Sequence, residues 1–175
     1  MLGVPRILWG AIFGSTFVFV FMMLVVHPEN PGPPPPMLPP MFALVALTTA
    51  VMSFVVPRVQ YRQAVARVKL DTIEEMADAG SDVLPYRSGP KRRVFAKPDE
   101  ARRKAFLLFQ TPFILSLALS ESIALFGFVL GFMGFASWIA YPFFGVSWVL
   151  FALRFPTEDK VLRPFEAGTG AYFPS

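Results

Sequence analysis

Ile7 to Val26 read ILWGAIFGSTFVFVFMMLVV, twenty positions without a charge. At ~1.5 Å per helical residue such a run covers the ~30 Å hydrocarbon core of a bilayer. A single basic residue, Arg6, precedes it. It lacks an A-x-A-like cleavage site and exceeds the ~7–15 apolar residues of a secretory leader. It is read as a retained transmembrane helix, and it sets the class of the whole chain.

Three more segments answer the same description. The second span is predicted over 38–56, opened by Pro39 and Pro40 and closed by Pro57; the third over 105–135; the fourth over 137–153, ended by Arg154. The composition agrees: 54% of the 175 residues are hydrophobic and 16% charged, against about 25% charged in soluble domains. The expected fold is an all-α integral membrane protein with four transmembrane helices. Its linear divisions are a first hairpin (1–57) with a Pro-rich outer loop (28–37), a basic cytoplasmic segment (58–104), a second hairpin (105–153) and a tail (154–175).

Orientation follows from the basic residues. Of sixteen Lys and Arg, one precedes the first span, twelve lie in 58–104 and three follow the last span. Basic residues are retained on the cytoplasmic side. Both termini and the central segment are therefore expected in the cytoplasm, and PENPGPPPP outside as a stiff connector. A bacterial inner membrane is the expected location.

The central segment divides further. RVQYRQAVARVKL predicts a short surface helix, with Tyr61, Val65 and Val68 at helical spacing. Arg58, Arg62, Arg67 and Lys69, with Lys91, Arg92 and Arg93 further on, form a surface for anionic headgroups or a protein partner. Thr72-Ile73-Glu74-Glu75 reads as a capping box opening a helix that ends at Gly80. YRSGPKRRVFAKP reads as an irregular link, and Pro98-Asp99-Glu100 as a helix start. Positive-inside retention accounts for the basic cluster, and no nucleic-acid partner is expected.

One acid stands inside a span. In LALSESIALFGFVLGF (Leu117 to Phe132) Glu121 lies near mid-membrane, where a charged side chain costs at least ~2.5–3.5 kcal/mol. No Lys or Arg lies within any span, so a buried cation is not expected to pair with it. A protonated carboxyl bonded to hydroxyls is the physical default, and the expected partners are Ser116 and Ser120, with Thr48, Thr49 and Ser53 on the second span. Gly127-x-x-x-Gly131 and Gly10-x-x-x-Gly14 are close-packing signals, compatible with a homo-oligomer or a larger membrane complex. There is no cysteine, and His27 is alone at the outer edge of the first span. No metal-ligand cluster, nucleophile motif or phosphate-binding glycine loop appears, so neither cofactor nor enzymatic activity is expected.

TPFILSLALSESIALFGFVLGF (111–132) resembles the outer, ion-binding helix of the c subunit of rotary ATP synthases. The matching positions are Thr111, Leu115, Ser116, Leu117, Ala118, Glu121 and Gly127. The resemblance implies that Glu121 takes up and releases a proton or sodium ion at mid-membrane. It spans about 22 residues. The second span has no glycine and the central segment runs about 47 residues, which departs from the tightly packed, short-looped subunit of a rotor ring. Two readings follow: an ion-handling membrane protein, or a structural or adaptor protein whose Glu121 is a fixed inter-helix hydrogen-bonding group and whose basic segment docks partners or anionic lipid.

Overall fold

A computed structural model describes residues 2–26, 35–68, 71–76 and 91–174. About four fifths of these are helical. The elements are α1 (Gly3–Val25), α2 (Leu38–Ala66), β1 (Thr72–Met76), β2 (Lys91–Phe95), α3 (Pro98–Phe132), α4 (Ser137–Leu153) and α5 (Glu158–Thr169). Three helices, α1, α2 and α3, are long and apolar enough to cross a membrane, or up to four spans if α4 and α5 count together as one broken span. His27, the Pro-rich segment through Pro34, Lys69 and the helix end expected at Gly80 lie outside the described residues.

The chain forms two compact units: Met1–Val59 with Gln110–Pro156, and Gln60–Phe109 with Thr157–Ser175. This differs from the linear division at residues 57/58 and 104/105, because α2 and α3 each contribute to both units.

The first unit holds the apolar helices. α3 ends at a left-handed glycine, Gly134 (φ 85°). The Phe135 N–H donates to the Leu130 carbonyl and the Gly134 N–H to the Gly131 carbonyl, both at 3.1 Å. This is a Schellman closure, which needs a residue tolerant of positive φ. It returns the chain into α4 after four residues. Against α1, α4 sets an aromatic ladder: Trp9, Phe13 and Phe17 recur every four residues, and Phe17 stacks on Trp148 at 5.0 Å. Two indole N–H groups find acceptors here, Trp9 on the Phe151 carbonyl (2.9 Å) and Trp148 on Thr16 Oγ1 (3.0 Å). In an apolar medium these bonds spare each partly buried N–H its desolvation cost.

Gly127 stands where α3 meets α4. A β-carbon there would lie 2.9 Å from both the Ala140 carbonyl oxygen and Phe143 Cβ. Gly131 lies against the Met23 side chain of α1. Gly10 and Gly14, by contrast, have nothing within 4 Å of a built β-carbon. Their face of α1 is open.

The second unit corrects two expectations. Thr72–Met76 is a strand, not a capped helix, and Lys91–Phe95 is its antiparallel partner, not an irregular link. The register opposes Glu74 to Arg93 and Glu75 to Arg92. Opposite charges facing each other across a ladder, as at Glu74 and Arg93, are favourable. A bridge from Val94 to Tyr172 brings the chain's last described residues alongside β2, with Phe95 N–H on the Tyr172 carbonyl and Tyr172 N–H on the Arg93 carbonyl. Phe95, Val161 and Phe165 are buried in this unit. Phe95, Phe165 and Phe173 form an aromatic cluster. Phe165 comes from α5, an amphipathic helix ended by Gly170 (φ 68°) with its N–H on the Glu166 carbonyl. The expected surface helix after residue 57 is the continuation of α2, which runs through Pro57 to Ala66.

Candidate functional site

Glu121 is half-buried on α3. Its carboxyl Oε1 is hydrogen-bonded to Ser15 Oγ of α1. Ser15 Oγ also lies 2.6 Å from the Ile12 carbonyl of its own helix. A seryl hydroxyl has one hydrogen. When it donates to Ile12, the bond to Glu121 requires a proton on the carboxyl. When it turns to Glu121, it serves a carboxylate. The pair thus accommodates both protonation states by rotating one hydroxyl.

Ser120, the preceding residue, is fully buried. Its hydroxyl donates to the Ser116 carbonyl at 2.8 Å, and its carbonyl accepts from Ser147 Oγ of α4 at 2.8 Å. Ser116 is buried and donates to the Phe113 carbonyl. Neither hydroxyl donates to Glu121. Thr48 is exposed and donates to the Leu44 carbonyl within α2, 2.9 Å away, not to Glu121. Thr49 is half-buried. The α2 residue that enters the polar cluster is Ser53.

Sequence reasoning missed a cation. Arg154 follows the last residue of α4, yet its guanidinium turns into the first unit. Nη1 donates to Ser120 Oγ. Nη2 donates to Ser53 Oγ at 2.5 Å and to the Ser53 carbonyl at 3.1 Å. Arg154 lies just beyond the fourth apolar run and is bonded to Ser53 and Ser120, not to Glu121. The cause lies in α2. Pro57 has no N–H, so the carbonyl four residues earlier, that of Ser53, loses its helical donor. Arg154 supplies it. Ser53 and Ser120 have spent their hydrogens on the Ala50 and Ser116 carbonyls, which leaves their lone pairs to accept. The guanidinium also lies 4.7 Å from the centroid of Phe54. The signal was present as a proline and an arginine near the C-terminal ends of two apolar segments, but nothing in either segment alone pairs them.

Among the remaining predicted residues, Arg58, Arg62, Arg67 and Arg93 are exposed. Lys91 and Arg92 take backbone positions in β2. Among the described residues, no group of three or more His, Cys, Asp or Glu is placed to hold a metal ion.

The site as a whole is a polar layer in an apolar unit: a carboxyl held to one hydroxyl, and a guanidinium held to two others and a carbonyl. No family model, curated protein or solved structure matches the chain.

Proposed function

We propose that the chain is a four-span membrane protein, with both termini and the central segment in the cytoplasm, in which Glu121 binds and releases a proton inside the bilayer. The observation that carries this is the Glu121–Ser15 pair. The carboxyl is neither sealed in the core nor ion-paired among the described residues, and its hydroxyl partner has an alternative acceptor in Ile12. One hydroxyl rotation keeps the two side chains bonded as a proton leaves or arrives, which offsets part of the cost of the charge. A proton suits the pair better than a sodium ion, because hard cations take several oxygen ligands and the pair offers few. The likeness of 111–132 to the c-subunit helix supports the same reading: a c-subunit-like helix in a protein that is not a ring-forming rotor subunit.

A second reading is favoured by one observation. The same pair joins α1 to α3, so it also serves as a fixed inter-helix bond in a structural or adaptor protein. Inter-helix hydrogen bonds in membranes average only ~0.6 kcal/mol, a small return for a mid-membrane acid.

Labelling with a hydrophobic carbodiimide separates the two. The reagent attacks protonated carboxyls reached from the bilayer. With purified protein in lipid, peptide mapping is expected to show Glu121 modified at mildly acidic pH and progressively less as pH rises. The Glu121→Gln variant is expected to assemble but not to label in this segment. Absence of modification at every pH would overturn proton exchange and leave the structural reading.

A further inference from the structure

One end of the first unit alternates arginine with aromatic rings. Arg6 lies 5.9 Å from the centroid of Phe155, which Trp9 contacts edge-on at 5.2 Å. The sequence neighbour of Phe155, Arg154, lies 4.7 Å from the centroid of Phe54, and Arg58 lies 5.9 Å from that same centroid. The Arg154 and Arg58 charges are therefore no more than about 11 Å apart. Among the described residues this unit contains three arginines and one carboxylic acid, Glu121, which is bonded to Ser15. Arg154 is occupied by Ser53 and Ser120. Arg6 and Arg58 are exposed, with no acidic partner among the described residues. Rings beneath them hold the guanidinium planes and contribute cation–π attraction, but they do not neutralise charge.

We propose that Arg58 and Arg6 bind the phosphates of anionic phospholipids, with Arg154 adding fixed positive charge behind them. Guanidinium groups take phosphate oxygens through paired N–H donors. The flanking residues identify the source of the phosphate. Val55 and Val59 beside Arg58 are 48% and 47% exposed, and Val4 and Ile7 beside Arg6 are 62% and 73% exposed. A ligand that meets both the charge and the apolar flanks is charged at its head and apolar in its body. A lipid has that chemistry and free phosphate does not. The inference is independent of proton exchange at Glu121.

The test is thermal unfolding of delipidated protein in neutral detergent, followed by tryptophan fluorescence. Micelles are doped with phosphatidylglycerol or with phosphatidylcholine, or inorganic phosphate is added. Phosphatidylglycerol is expected to raise the midpoint by about 2–4 °C, and the other two to leave it unchanged. Arg58→Gln and Arg6→Gln each reduce that rise, Arg58→Lys retains part of it, and Lys97→Gln, which removes one exposed charge elsewhere, keeps it in full. An equal rise with phosphatidylcholine, a rise with inorganic phosphate alone, or an equal loss in Lys97→Gln would each overturn the assignment. Should Arg58→Gln unfold before lipid is added, the Arg6→Gln response decides alone, and a full rise there counts against the proposal.

Discussion

At the scale of single residues, Arg154 and Pro57 belong to one device. The proline frees a carbonyl and the arginine from another helix occupies it. Hydrogen bonds to charged donors are worth about 1.5–3 kcal/mol, so Arg154→Gln is expected to destabilise the first unit by an amount in that range. In Pro57→Ala the alanine N–H satisfies Ser53 locally, and Arg154→Gln is then expected to cost less. A double-mutant cycle on thermal unfolding reads the difference, with coupling of about 0.5–3 kcal/mol for residues sharing a partner. Additive effects would show that Arg154 does not serve the carbonyl that Pro57 leaves. The glycines make a second residue-level contrast. Gly127→Ala drives a methyl into the Ala140 carbonyl and Phe143, an overpacking expected to cost about 1–3 kcal/mol. Gly10→Ala and Gly14→Ala enter open space and are expected to leave the unfolding midpoint of the single chain unchanged or slightly higher, since alanine favours helix over glycine. If either weakens an oligomer in a crosslinking assay, that face of α1 is where copies meet.

At the scale of elements, the apolar helices were legible because a bilayer demands length and apolarity together, and few other structures require both. The fourth span was read as 137–153; a helix, α4, occupies those residues, but it passes as a span only when counted with α5 across a bend of 67°. The β-strands were not legible. Thr72-Ile73-Glu74-Glu75 satisfies the local rules of a helix N-terminus, and only the pairing with Lys91–Phe95 makes it a strand. α5 escaped for a related reason: its short amphipathic pattern acquires meaning only once Val161 and Phe165 have a core to enter. Phe95 is the natural probe of this arrangement, being 2% exposed and in ring contact with Phe165 and Phe173. Phe95→Ala is expected to cost about 3–5 kcal/mol. Faster amide exchange should then appear across β2 and α5, while the buried stretch of α3 around Ser120 keeps its protection. Loss of protection throughout the chain would show that the two units unfold as one.

At the scale of the whole molecule, the proposed topology makes a sharp prediction because the chain has no cysteine. Single cysteines can be introduced without background. Met37, 71% exposed, stands just before α2, and Lys97 is exposed just before α3. In intact cells a membrane-impermeant maleimide is expected to label Met37→Cys, and to label Lys97→Cys only after the membrane is opened. The reverse pattern would invert the orientation inferred from the basic residues. Equal labelling of both in intact cells would contradict a span between them.

By itself the amino-acid sequence determined the class of the protein, the position of its apolar helices and the acid that needs explaining. Those properties depend on residues close together in the chain: a run long enough for a bilayer, or a carboxyl in the middle of one. The tertiary structure alone decided the partners. Ser15 rather than Thr48 reaches Glu121, and Arg154 turns back to Ser53 and Ser120, because helix rotation and the reach of a long side chain are set by packing between segments 34 to 106 residues apart in the chain. A one-dimensional pattern shows that a carbonyl is freed at Pro57 or that a charge stands at Arg154. It does not show that the two lie within hydrogen-bonding distance.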